Sequence, residues 1–466
     1  VRYVFRMHMV SHATLAMLMV LSTIIIYPQQ LAYPPLGTYP SSISSPGTDV
    51  LILALPAERS VTVYEIGTGS LWRIELGFQP EDVVVSGYRC LAYSRIQRRA
   101  VVIDLVSRKV LNEFEMRVEA AWAYEDGFVV HDGQRIIVIG PENEVVRSLR
   151  TGYAGSPWSG SAFGKSFWYV GDDLKTLNVL DIESGESKMV YKHDDKITSV
   201  LAISEDRAAI SSRGYIGIVR ADGSRKDLKL PYSVSELTRL FPAKAGRVVF
   251  VDEISKVVGI IGEDLVEYRV VEEFATLITS PAPSKLFMLD PSASKLLLYD
   301  LTFVPEIREA KFSVAGRSTV RVEAVVVDAD RDIEPGQPQV VVDDGRGNRI
   351  IVPMRAVSGD RYSADVDLSA FSGRLTLKVV ARDEEGHGAE SRAYEVEVGD
   401  GEIRTATALT VTATTDTSPA QSAPGVQQFL LMSVELLFFL VLVGALVLVA
   451  LRARRTGRGR SRRRRA

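Results

Sequence analysis

The sequence predicts an all-β chain: a ring of four-stranded sheets, a second β domain behind it, and one apolar helix near the C-terminus. Three observations carry that expectation. Related apolar strands recur about every 40 residues from Val63 to Leu298, the spacing of one four-stranded propeller blade. Longer segments of apolar–polar alternation begin at Ser318, and Phe429–Leu451 is an apolar run carrying one charge, Glu435. With 466 residues, 46% of them hydrophobic and 24% charged, most of the chain is able to bury real cores.

Taken in order, Arg2 and Arg6 precede the apolar run Ala13–Ile26, the charge-then-apolar order of a secretory leader. The expected segment is 1–32, either cut near "QQLAYP" or kept as a signal anchor, with a linker over 33–48. The propeller is expected over 49–304. Its repeats read "VYEIG" at Val63, "VIDLV" at Val102, "VIGPE" at Val138, "VLDIE" at Val179, "IVRAD" at Ile218, "GIIGE" at Gly259 and "LYDLT" at Leu298. An apolar strand such as "VLILAL" precedes each, a polar one such as "SLWRIEL" follows, and a fourth such as "EDVVVS" lies upstream. The apolar strands belong inside and the polar one at the exposed rim.

Seven hairpins of this kind predict a seven-bladed β-propeller. Six or eight blades are the alternatives, because the first copy shows no innermost strand and the last no outermost one. The ring would close by packing, or with a strand borrowed from Glu306 onward.

The stretch "VYEIGTGSLW" resembles the repeat of pyrroloquinoline-quinone-type propellers, and the repeat class is similar to the YVTN-type strand-repeat propellers of archaeal cell surfaces. The resemblance implies the fold and not an activity. The quinone enzymes of that class pair adjacent cysteines and hold calcium with acidic and amide side chains. This chain has one cysteine, Cys90, and no set matching theirs, so no catalytic residue is carried over. A single cysteine also excludes an intramolecular disulfide. Asparagine is scarce (Asn112, Asn143, Asn178, Asn348) and none opens an Asn-x-Ser/Thr acceptor, while arginine outnumbers lysine; this composition points to a thermophilic, archaeal source.

From 305 to 400 the alternating strands predict a β-sandwich. Its turn "ARDEEGHG" (Ala381–Gly388) resembles that of bacterial and archaeal immunoglobulin-like domains, which serve as spacers or adhesion modules. A Thr/Ser/Pro-rich stalk, open to O-glycosylation, is expected over 401–427, since it lacks the apolar side chains that would offset ordering entropy. The transmembrane helix is expected over 428–451, followed at 452–466 by Arg452, Arg454, Arg455, Arg458, Arg460 and Arg462–Arg465. Positive residues stay on the cytoplasmic side, so the expectation is a single-pass protein of the cytoplasmic membrane with its body outside. The arginine tail suits anionic lipid headgroups rather than nucleic acid.

The longest loop of the ring, Arg150–Ser161, carries Tyr153 and Trp158, aromatic faces suited to a sugar ring or a partner's side chain. Three charged turns should reach the same channel mouth: "HDGQ" with His131 and Asp132, "GDDLK" with Asp172 and Asp173, and "KHDDK" with His193, Asp194 and Asp195. Converged, they would hold a cation or act as an acid/base set; otherwise they are solvated turns. In the second domain "DADRDIE" spaces Asp328, Asp330 and Asp332 as ligands of a calcium loop do, on one face of a strand. Ile333 and Gln339 stand where that loop needs glycine and glutamate. Phosphate loops, zinc spacings and nucleophile elbows are absent. No cofactor is expected, and calcium is the one ion with candidate ligands.

These features fit a membrane-anchored surface protein whose propeller binds a cell-surface protein or glycan. The alternatives are an extracellular propeller enzyme (hydrolase, lyase or quinone-dependent dehydrogenase) and a structural part of the surface coat.

Overall fold

The computed structural model describes residues 24–406 apart from positions 126, 154, 229, 231–233, 264, 265, 272 and 385. The part of the expected leader ahead of Ile24, the expected stalk from 407, the apolar run expected to span and the arginine tail lie outside the described residues. No described helix is long and apolar enough to cross a membrane. Apart from three short 3-10 turns, the regular elements described are all strands.

Seven of the described sheets are four-stranded and antiparallel, six of them meanders of consecutive strands. Their first strands are Ser42–Gly47, Asp82–Ser86, Ala120–Tyr124, Gly160–Phe163, Ile197–Ser204, Thr238–Pro242 and Leu277–Ala282. Each lies beside the next, and Leu277–Ala282 lies beside Ser42–Gly47, so the circuit returns to its start. The arrangement is a β-propeller.

Burial explains the composition of each strand. Second strands such as Val50–Leu55 and Val248–Asp252 are covered on both faces, which is why they read as continuous apolar runs rather than alternating ones. The outermost strand Lys109–Phe114 is mostly exposed and carries the polar residues. The cores lie between the sheets: Ile52 and Val63 of the first pack with Cys90 and Val101 of the second, and so on round to Phe287 and Leu289 of the seventh against Leu51 and Leu53 of the first.

Hairpin turns repeat one device. Asp104 accepts the backbone N–H of Val106 (2.8 Å) and Ser107 (3.1 Å), and Asp290 and Asp252 do the same two and three residues on. Such aspartates substitute for a backbone turn. The chain then passes through a left-handed residue, Arg108, Ser294 or Lys256.

Two elements differ from the sequence expectation. The innermost strand of the first sheet is Ser42–Gly47, "SISSPG", within the stretch read as a linker. The seventh sheet is completed by Ile24–Leu31, which pairs residue for residue with Phe303–Leu296, and not by a strand from Glu306 onward. Residues read as the end of the leader are thus the outermost strand of the ring. Pro28 fits there, because an edge strand needs only half of its N–H groups.

Glu306–Val314 instead opens a second unit of two sheets. One runs Glu306–Val314, Thr319–Val327, Arg361–Asp367, Arg355–Ser358; the other is built on Gln339–Asp343, Gly373–Arg382 and Tyr394–Gly399. Val322 and Val366 of the first face Val342, Leu377 and Val396 of the second in one core. Glu402–Ala406 pairs with Tyr394–Gly399, so the second sheet runs on where the stalk was expected to begin.

Candidate functional site at the channel mouth

Every first strand starts at the same end of the ring, where the loops between sheets arrive and second strands turn into third strands. His131, Asp172, Trp158 and His193 all stand at this end. The structure settles each locally before it brings any of them together.

Tyr153 is 7% exposed and belongs to the core between the third and fourth sheets, not to a free loop tip. Its ring meets Trp122 edge-on at 5.3 Å and His131 at 4.6 Å. Its hydroxyl donates to Ser156 O and accepts from Ser159 Oγ at 3.1 Å. Burial pushes its phenol well above the ordinary value, with the Ser159 hydrogen bond acting the other way. The sequence signal failed here because the partners, Trp122 and His131, come from the preceding sheet.

Trp158 is half-buried and leads into the fourth sheet, yet it packs on Phe241 (5.9 Å between rings) from the first strand of the sixth. It therefore reaches across the channel. The Arg239 guanidinium lies 4.5 Å over its ring and pairs with Glu253. Trp122 Nε1 donates to Pro157 O at 2.9 Å and holds the loop down. Trp158 is thereby held against the sixth sheet's first strand, with a paired cation over its ring.

The charged turns are self-satisfied. Asp132 accepts the N–H groups of Gln134 and Arg135 and pairs with the Arg135 guanidinium; burial would raise its pKa, and these partners hold it below the ordinary range. Asp173 is lowered by the N–H groups of Lys175 and Thr176 in the same way. Asp172 lies against Gly152 of the Tyr153 loop, within 3.4 Å of where a Cβ would stand. Asp194 presents its carbonyl to Lys175 Nζ, and Asp195 N–H donates to His193 Nδ1 at 3.0 Å. His131 is 3% exposed, with burial holding its imidazole below the ordinary value and no hydrogen-bond partner at Nδ1. Among the described residues no group of three or more His, Cys, Asp or Glu is gathered as metal ligands.

What the structure does assemble is an aromatic surface that sequence reading missed. His193 packs over Tyr215 (4.7 Å) and beside Tyr191 (6.1 Å), all three partly exposed. Arg225 lies 5.3 Å over Tyr191, and Tyr215 Oη donates to Asp227 at 3.0 Å. This platform offers flat apolar faces edged by one cation and one carboxylate. On the far side of the mouth Asp82 opens its strand and accepts from Ser42 Oγ, Tyr93 Oη (2.8 Å) and its own Val83 N–H. Burial raises the Asp82 pKa against those bonds. An acid opening an apolar strand, in "EDVVVS", was the available signal.

The expected calcium ligands do other work. Asp328, Asp330 and Asp332 lie in a loop, not on a strand face, and meet the propeller at the opposite end from the mouth. Asp330 is 4% exposed and accepts from Phe303 N (2.8 Å) and Thr302 Oγ1 (3.2 Å) at the end of the seventh sheet's third strand. Asp332 pairs with Lys244, and Arg247 donates to Ala329 O while standing 3.8 Å from Asp330. Asp328 accepts the N–H groups of Asp330 and Asp332 and shapes the loop. Burial, with the neighbouring Asp332 carboxyl, pushes Asp328 up to about 7; burial likewise pushes Asp330 up to about 6. Lys244 and Arg247 are the basic partners of this loop.

These loops and cores complete a propeller. No family model matches the chain, and no curated protein does. Among solved structures it is similar to virginiamycin B lyase from Staphylococcus aureus, at 13% identity and TM-score 0.48 over 59% of this chain and 100% of that one. It is also similar to the β-propeller domain of Myceliophteria thermophila Cps50 (Swd1), at 13% identity and TM-score 0.43 over 60% and 100%, and to the WD40 repeats of RRP9, at 13% and 0.45 over 59% and 100%.

Proposed function

We propose that the protein is a membrane-anchored surface module whose seven-bladed propeller binds a partner protein or glycan at the channel mouth, with the two-sheet unit acting as an immunoglobulin-like spacer. One arrangement carries this reading: the spacer is fixed to the end of the ring opposite Trp158, Arg239 and the Tyr191–His193–Tyr215 platform. In this reading the chain continues from the spacer into a stalk, an apolar span at Phe429–Leu451 and a basic tail that anchor it. Aromatic faces bordered by Arg225 and Asp227 bind through buried area at little conformational cost, and the charges orient the ligand. The arginine tail engages anionic headgroups on the inner face.

The test is mild crosslinking on intact native cells, then capture of this chain and mass spectrometry of what is attached. A recurring protein or glycan partner, lost when Tyr215 and His193 are replaced by alanine, is the expected result. Capture of neighbouring copies alone would refute the binding role and favour a coat component.

A further inference from the structure

The rings around His193 are held in place by groups chosen for it, beginning with Gly217. Tyr215 opens the third strand of the fifth sheet, Tyr215–Arg220, and its ring lies along that strand over Gly217, where a Cβ would overlap the hydroxyl and the ring. Glycine weakens a strand interior, and here its missing side chain lets the tyrosine lie flat. Tyr215 Oη donates to Asp227 at 3.0 Å, from the outermost strand Arg225–Leu228, in which Asp227 pairs with Gly217. His193 is fixed over this ring from two sides: its N–H donates to Lys175 O at 2.9 Å, and its Nδ1 accepts from Asp195 N–H at 3.0 Å. Tyr191 comes from the outermost strand of the fourth sheet, Ser187–Lys192, and accepts from the Arg225 guanidinium through its hydroxyl.

Size and charge decide what such a surface takes. Three partly exposed rings leave roughly 100–200 Å² of aromatic surface open, against about 800 Å² per partner in a stable protein interface. Their exposed chain neighbours Lys192, Asp194, Asp195, Lys196 and Arg213 are charged, which limits the apolar area. A single sugar ring matches it, with a face of C–H groups for the aromatic surface and hydroxyls at its edge that donate and accept. The platform's own edge offers the complementary groups. Arg225 and Asp227 are half-exposed and 3.4 Å apart, a pair of no net charge. Tyr215 and Arg225 both meet Oδ1 of Asp227; among the described residues its Oδ2 and His193 Nε2 have no partner. With Arg225 already neutralised, a sugar carboxylate would meet Asp227 as a like charge, so a neutral sugar is favoured over a uronic one.

We propose that the platform is a subsite for one neutral pyranose residue of a glycan, with its C–H face on the Tyr191, His193 and Tyr215 rings and its hydroxyls on Asp227, Arg225 and His193 Nε2. The proposal rests on the binding reading given above and names its ligand class. The experiment is calorimetric titration of the purified full-length protein with neutral oligosaccharides of glucose, galactose, mannose and N-acetylglucosamine, and with an oligogalacturonate as the charged comparison. Saturable binding of a neutral oligosaccharide is expected, weakened about tenfold in Tyr215→Ala and in Gly217→Ala, which keeps every contact group but lifts the Tyr215 ring. Tyr215→Phe keeps the ring and should bind within about twofold of the wild type. A loss in Tyr215→Phe as large as that in Tyr215→Ala would overturn stacking as the basis. If melting shows that Gly217→Ala does not fold, Tyr215→Ala against Tyr215→Phe decides alone. Binding of none of the neutral sugars, or tighter binding of the oligogalacturonate, would overturn the proposal. Crosslinking on cells separates the two readings. A Tyr215-dependent partner that is protein without glycan refutes the sugar subsite and keeps the binding role, whereas capture of neighbouring copies alone refutes the binding role itself.

Discussion

Replacing Asp330 by asparagine should flatten the pH dependence of stability between pH 4.5 and 7.5. Asp330 is enclosed by Phe303, Thr302, Ala329 and Arg247, with Lys244 and Asp332 close by, and its pKa is pushed up to about 6 from 3.8. A carboxyl whose pKa is higher folded than unfolded binds protons more tightly in the native state, so stability falls as pH rises through that window. Two units correspond to about 3 kcal/mol against the ionised form, of which about 2 kcal/mol develops between pH 4.5 and 7.5. Asparagine keeps an acceptor for the Phe303 N–H and cannot ionise. Urea unfolding of the protein at closely spaced pH values is the assay. The wild type should lose about 2 kcal/mol relative to Asp330→Asn across the range. Parallel curves, or a wild type that gains on the variant as pH rises, would show that Arg247 and Lys244 stabilise the ionised carboxylate and that the burial argument is wrong.

Tyr153→Ala should cost about 3–5 kcal/mol in the same unfolding measurement, because it empties a site walled by Trp122, His131 and Tyr169. His193→Ala and Tyr215→Ala, at half-exposed positions, should each cost roughly 1 kcal/mol or less in stability and weaken the captured partner about tenfold in a binding titration. Gly160→Ala would drive a Cβ to 2.8 Å from both Phe167 and Trp122, and denaturation should register a loss of about 1–3 kcal/mol. Cys90 is fully buried with its thiol pushed far up by burial, so a thiol reagent should label it only after unfolding.

The hairpin repeat was legible because second and third strands are covered on both sides, which forces continuous apolar runs at a fixed spacing. The innermost strand of the first sheet was not, since "SISSPG" lines the channel and needs few apolar side chains. Ile24–Leu31 was masked by a different ambiguity: a short apolar run serves a leader and an edge strand equally well. At the mouth, local turn chemistry explains why Asp132 and Asp173 read as ligands yet close their own loops. The acidic loop at Asp328–Asp332 is the clearest case of long-range determination. Its basic partners Lys244 and Arg247 stand more than 80 residues earlier, beyond any local pattern, and only the docked geometry turns a calcium-like spacing into an interdomain latch.

Ile24 faces Phe303 across the last pair of strands, so the chain enters and leaves the ring at one corner, beside the acidic latch. In mechanical terms this is a clasp placed next to its hinge. A pull from the C-terminal side reaches the ring at that corner, where the latch and the eight-residue clasp meet it first. The groups at the mouth stand at the other end of the ring, away from that corner.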